Sequence, residues 1–217
     1  MKNSVKILLL TLAVMLVGTQ VYSDNEPDKK TQRTINKAIK KEAKRLEKKG
    51  YSVEPGAISM NFQLRRSYQK EFATDGNGAP LYIVGVGSAI SDIENAARLH
   101  AISDATINAC MLLESQIMGM IEQDYNNKLY SRNEFQTLSQ MKGVFSNLLA
   151  QSLPTGIPVT ALVNDHKQYY EYQVRVAYPI KVLRQNAQEV IYDILNKENE
   201  ELRKKFERIT NFENLGK

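Results

Sequence analysis

With 217 residues, 42% of them hydrophobic and 24% charged, the chain is long enough for one sizeable core or two small ones, in the balance of an ordinary soluble globular protein. A single Cys and two His exclude a disulfide framework and a Cys/His zinc cluster. The formal net charge of +5 falls to +3 without Lys2 and Lys6, too small a surplus to mark a nucleic-acid binder.

Lys2 and Lys6 open the chain, an apolar run follows from Ile7 to Val17, and Gly18-Thr19-Gln20 leads into Val21-Tyr22-Ser23. That order reads as a signal peptide over residues 1–23, with cleavage after Ser23. The alternative is an uncleaved anchor, but the run falls short of the ~20 apolar residues of a spanning helix. No Cys near the cleavage point is available for lipid attachment. The expected mature chain is soluble and exported, either periplasmic or secreted at the cell envelope.

Residues 24–30 read as an exposed leader, and residues 31–210 as a single α+β domain. From Thr31 to Lys49, Ile35, Ala38, Ile39, Ala43 and Leu46 recur at helical spacing, with Gly50 placed as a C-cap. Ten Lys or Arg between Lys29 and Lys49 face only Glu42 and Glu47, so this helix has a narrow apolar stripe and a broad basic face. Lys37, Lys41, Lys44 and Lys48 share that face and are the candidate contact for an anionic surface; the plain alternative is a solvated face. After Glu54-Pro55-Gly56, Ile58, Phe62, Arg65, Tyr68 and Phe72 repeat at three- to four-residue steps, which predicts a second, shorter helix.

The turn Asp75 to Pro80 precedes a strand from Leu81 to about Gly87. Ser91 and Glu94 have the spacing of a capping box, which predicts a helix from Asp92 to about Tyr125. On it Ala97, Ala101, Ala105 and Ala109 form an i+4 ridge, and Gly85 and Gly87 share one strand face. The economical expectation is that bare strand packs on bare helix. Ser131 and Glu134 predict a second box, opening a helix that buries Phe135, Leu138, Met141, Phe145 and Leu148 and ends at Pro154 and Gly156.

Two alternating runs, Ile157 to Val163 and Tyr170 to Tyr178, form a hairpin about Asn164–Gln168, with Glu171, Gln173 and Arg175 on a face expected to be wet. A long charged helix is expected from about Lys181 to Arg208, with Glu200–Lys204 and Glu201–Lys205 as i+4 pairs. The predicted architecture is therefore α+β: a small antiparallel sheet of about three strands packed on a long central helix, with flanking N- and C-terminal helices.

The strand Tyr82-Ile83-Val84-Gly85-Val86-Gly87-Ser88, the Ala-spaced helix and the late strand Tyr172 to Tyr178 resemble the bacterial twenty-kilodalton lipoprotein (Lpp-twenty-like) family. The basic helix with Glu42-Ala43-Lys44-Arg45-Leu46 and Lys49-Gly50-Tyr51 resembles exported members from Bacteroides-like bacteria. The likeness runs from about Ala38 to Ala177. It implies a non-enzymatic envelope protein and carries no catalytic residues. The chain departs from the pattern in lacking a lipidation Cys.

No catalytic constellation emerges. Gly85-Val86-Gly87 has Ile90 where a dinucleotide loop wants its third Gly. Cys110 lies in an apolar stretch, a setting for an inert thiol. His100 sits beside the Ala ridge and His166 in the hairpin turn, one expected partly buried and the other exposed; neither pairs with a nucleophile. Asp92 and Glu94 belong to a helix start. Tyr169, Tyr170 and Tyr172 suit cross-strand packing better than a sugar or peptide surface. No cofactor or metal is expected.

The expected function is non-catalytic association at the cell envelope. Expected partners are a second copy, an envelope protein, or an anionic membrane or surface polymer, and not nucleic acid. The alternative is a periplasmic small-ligand binder, with an envelope hydrolase behind it.

Overall fold

The structure, a computed structural model, describes residues 29–142 and 144–195, together with Leu202 and Lys204. The signal peptide, most of the leader, and Glu200, Glu201 and Lys205 of the two i+4 pairs lie outside the described residues.

Helix α1 (Lys29–Lys48) opens two residues earlier than predicted and closes as expected at Gly50. Gly50 has φ +91°, its N–H donates to the Glu47 carbonyl, and the Tyr51 N–H reaches back to Leu46. This Schellman pattern satisfies the last carbonyls and folds Tyr51 onto Leu46, both of them buried. Strand β1 (Ser52–Val53) follows, then α2 (Met60–Glu71), β2 (Tyr82–Ser91), and the long α3 (Glu94–Asn126). Helices α4 (Arg132–Gln140) and α5 (Val144–Ser152) lead to β3 (Ile157–Asp165), β4 (Tyr170–Pro179) and α6 (Ile180–Leu195).

The α+β class holds, with a sheet of four strands instead of three, antiparallel in the order β1-β3-β4-β2. The added strand, β1, spans two residues and pairs Ser52 with Val163, too short to leave an alternating pattern. Strands β2 and β4 are paired over ten positions, from Tyr82 opposite Pro179 to Ser91 opposite Tyr170. The β3–β4 ladder breaks at a bulge between Pro158 and Thr160.

This register puts Ile83, Gly85, Gly87 and Ala89 of β2 on one face with Tyr172, Val174, Val176 and Tyr178 of β4. Helix α3 lies across that face, and Ala97, Ala101, Ala105 and Ala109 are all fully buried. A Cβ on Gly85 would strike the Ala105 carbonyl, and one on Gly87 the backbone of Ala101 and Ala105. Bare strand does meet bare helix. Side chains of α3 also serve the outer edge of β2: Asp104 accepts from the Ser88 N–H at 3.0 Å, and Asn108 donates to the Val86 carbonyl at 2.8 Å. Groups that would otherwise invite a further strand are thereby occupied.

Three expectations are corrected. The Ser91–Glu94 capping box does not form: Ser91 still belongs to β2, its Oγ takes the Ile93 N–H at 3.1 Å, and α3 starts at Glu94 with Ile93 as an uncapped N-cap. The ten-residue ladder with β4 holds Ser91 extended, so pairing wins over capping. By contrast, the Ser131–Glu134 box forms with both of its hydrogen bonds. The single helix expected after it is two, because the chain turns at Met141–Lys142; Leu149 is buried in place of the exposed Leu148.

The second, shorter helix is present as α2, and the side it buries is not the repeat of Ile58, Phe62, Arg65 and Phe72. Met60, Gln63, Leu64 and Ser67 face inward, while Ile58, Phe62, Arg65 and Phe72 are exposed. Nor is the second face of the sheet wet. α1 and α2 cover much of it, forming a separate core of Ile35, Ile39, Ala43, Leu46, Tyr51, Met60, Leu64 and Leu162. The result is a sheet sandwiched between two helical layers, with the larger core on the α3 side.

Polar residues on the covered face are matched individually. Gln63 donates to the Ile58 carbonyl at 3.0 Å and accepts from the Ala161 N–H at 2.8 Å, at the strand positions just past the bulge. Arg175 points from β4 between the two helices.

Candidate functional site

Because the apolar positions of α1 are consumed by the second core, its other positions must face outward. Lys37, Lys41, Lys44 and Lys48 are all exposed, as are Arg33 and Lys40. The structure brings together the four lysines singled out from the sequence, and none of them forms an ion pair among the described residues.

The reason lies with Glu42. Its carboxylate turns inward, where Oε1 meets Arg175 Nη2 at 2.6 Å and Oε2 accepts from the Tyr68 hydroxyl at 2.9 Å. Arg45 reaches the same Oε1 at 3.3 Å. Arg175 also donates to Ser67 Oγ at 3.3 Å. With Glu42 withdrawn, Glu47 is the remaining acid of the described part of α1. A groove of about 450 Å³ beside it is lined by Lys40, Lys41, Ala43, Lys44 and Glu47 of α1 and by Asn61 of α2. Burial and the bond to Glu42 push the Tyr68 phenol above its ordinary value.

The sequence carries a trace of this network. Glu42 stands seven residues after Ile35, three after Ile39 and four before Leu46, so it lies in the apolar stripe. An acid there needs a buried partner, and Arg175 in an alternating strand supplies it.

At the far end of the sheet, the buried Tyr172 hydroxyl lies 2.9 Å from both Glu54 and Glu94. Arg98 Nε stands 3.6 Å from Glu54. A phenol has one proton to give, so the two acids share one donor. Sequence distance hid this trio, which ties the turn after β1 and the start of α3 to β4.

A cleft of about 360 Å³ lies between α3, α5 and the segment entering β3. Its lining is uncharged, with Ile102, Ile107 and Leu153 beside Asn147, Gln151 and the hydroxyls of Thr106 and Tyr178. Those hydroxyls are 3.0 Å apart, and Thr106 also reaches the Ile102 carbonyl at 3.0 Å. Gly156 is buried against Tyr178, where a Cβ would collide with the ring.

The other chemical candidates resolve plainly. Cys110 is fully buried and its thiol is pushed up to about 12 by loss of solvent. His100 and His166 are both exposed; His166 stacks on Tyr169 and stands 3.5 Å from Glu171. Tyr169 is on the surface, Tyr170 packs on the main core and Tyr172 is buried, so the three tyrosines make no common surface. Gly85 and Gly87 are filled by α3 and leave no room for a phosphate. Among the described residues no group of acids, His and Cys is placed to hold a metal, and no helix is long and apolar enough to cross a membrane. No family model, curated protein or solved structure matches this chain.

Proposed function

We propose that this is an exported, non-catalytic protein of the cell envelope that works by association, with the basic face of α1 as its contact for an anionic surface. One observation carries the reading: Lys37, Lys41, Lys44 and Lys48 stand exposed in one line while Glu42 is drawn inward by Arg175. Like charges at this spacing repel by a few tenths of a kcal/mol per pair in the isolated helix. An anionic surface turns that cost into a gain of ~1 kcal/mol per lysine. The likeness to the Lpp-twenty-like family and the signal-peptide pattern agree with an envelope location.

Co-sedimentation with vesicles containing phosphatidylglycerol tests the contact. Four lysines at ~1 kcal/mol each amount to roughly a thousandfold in affinity, so changing all four to Gln should nearly abolish binding. Added salt should weaken the wild type, because the attraction is screened over ~8 to 10 Å. Equal binding by wild type and quadruple variant would reduce the face to a solvated one. Export is tested separately by the mass of the N-terminus in fractionated cells, where an intact Met1 in the membrane fraction speaks against cleavage after Ser23.

The cleft at Tyr178 favours a second reading, a binder of small neutral molecules. Its volume falls in the range of ligand pockets, and its lining pairs apolar walls with a few hydroxyls and amides. A thermal-shift screen of neutral sugars and short uncharged peptides, repeated on Tyr178→Phe, checks it. A stabilisation that survives the substitution places the ligand elsewhere.

A further inference from the structure

Helix α2 and the residues flanking it turn three large apolar side chains to the outside, among polar ones. Phe62, Arg65, Gln69 and Phe72 follow one another at three- and four-residue steps, and all are exposed. Phe62 is 54% and Phe72 46% exposed, and Ile58, one turn ahead of Phe62, is 45%. Scattered apolar residues on a surface need no explanation. These stand in a row beside Arg65 and Arg66, on a helix whose Asn61 forms one bank of the groove lined by Lys40, Lys41 and Lys44. The rings and the lysines therefore belong to the outer surface of the same two-helix layer, and Glu47 and Glu71 are its exposed acids near them.

We infer that the α1–α2 layer seats on an anionic lipid bilayer, with Phe62 and Phe72 entering the boundary between headgroups and acyl chains while the α1 lysines meet the phosphates. This rests on the reading of α1 as an anionic-surface contact and adds what that surface is. A soluble polyanion offers phosphates or carboxylates to the lysines but no apolar phase to Ile58, Phe62 and Phe72. A bilayer interface offers both, and a basic face beside exposed aromatic and aliphatic side chains is the composition of a surface-lying amphipathic element.

The chain contains no Trp, so each introduced Trp is a single reporter. Phe62→Trp and Phe72→Trp are compared with Leu112→Trp, an exposed position on α3 across the sheet. Each is mixed with vesicles of phosphatidylglycerol and phosphatidylcholine, with phosphatidylcholine alone, and with soluble polyphosphate. The first two reporters should shift to shorter wavelength and be quenched by acyl-brominated lipid only with the anionic vesicles, and Leu112→Trp should do neither. Phe62→Ser with Phe72→Ser should lower vesicle partitioning roughly tenfold or more, with the circular dichroism and urea midpoint of the variant as controls for the loss of the Phe72 ring from its stack on Tyr68. Vesicle binding without shift or quenching overturns the inference and leaves the α1 contact standing. Binding to polyphosphate but not to vesicles overturns it in favour of a soluble polymer, and binding to neither overturns both.

Discussion

Arg175 of the central strand and Glu42 of the basic helix meet at 2.6 Å, with side chains only 13% and 10% exposed. This contact pins α1 to the sheet, because Tyr68 and Ser67 of α2 join the same two groups. It also shapes the electrostatics of the outer surface, since the Glu42 carboxylate is held inside and does not offset the lysines.

Removing Glu42 leaves the Arg175 charge buried without its acid, which costs about 3 kcal/mol, and removing Arg175 costs less because Arg45 and Tyr68 still reach the Glu42 carboxylate. Glu42→Gln and Arg175→Met should each lower the urea midpoint by a corresponding amount. The double variant Glu42→Leu with Arg175→Met should recover most of it, because apolar groups of similar size need no partner. A double variant as unstable as the sum of the singles would mean that the ion pair is not the coupled unit.

The contact of β2 with α3 sets a second expectation. Ala101→Leu or Ala105→Leu overpacks it and should cost roughly 1–3 kcal/mol. Gly87→Ala should cost more than either, since its new methyl meets helix backbone and not a side chain that can rotate away. Thermal melts provide the measurement, and melts left unchanged would place the Ala ridge elsewhere.

What was legible in the sequence followed from how local the cause was. The Ala ridge, the paired glycines, the hairpin, the Gly50 cap and the Ser131 box are fixed by neighbours a few residues away, and all are present. The repeat locates α2 but not which of its sides is covered; Gln63 and Ser67 are buried by partners about a hundred residues distant, Ala161 and Arg175. Of the candidate site, the four lysines were legible as one face. The withdrawal of Glu42 shows in the sequence only as an acid set in the apolar stripe, because its partner Arg175 lies on a strand 133 residues later. The β4 face with Glu171, Gln173 and Arg175 looked wet for the same reason: its cover comes from the other end of the chain.

Cys110 should behave as a core residue. In the native protein a thiol reagent at neutral pH should fail to modify it, because the group is fully buried and its pKa stands at about 12. Modification should appear only with denaturant and follow the unfolding curve. Prompt labelling of the folded chain would show α3 opening locally at that turn.

The last expectation concerns alkaline stability. Tyr51, Tyr68 and Tyr172 are all raised above the ordinary phenol value of 10.0, first by loss of solvent and then by hydrogen bonds to carboxylates: Glu171 for Tyr51, Glu42 for Tyr68, and Glu94 and Glu54 for Tyr172. A group whose pKa is higher in the folded state holds its proton longer there than in the unfolded chain. Its contribution to stability is therefore complete below pH 10 and is lost as the pH climbs from 10 toward the folded-state value. Across that interval each such tyrosine removes about 1.4 kcal/mol for every pH unit. Urea midpoints should thus be flat with respect to these groups up to about pH 9.5 and fall steeply beyond it. In the ultraviolet, the exposed phenols should ionise first and these three only together with loss of helical signal. Tyr172→Phe should lower stability at neutral pH, because Glu54 and Glu94 lose their shared donor, and it should flatten the alkaline slope by the share of one group. An unchanged slope in that variant would show that Tyr172 already ionises in the folded protein, which its contact with two carboxylates argues against.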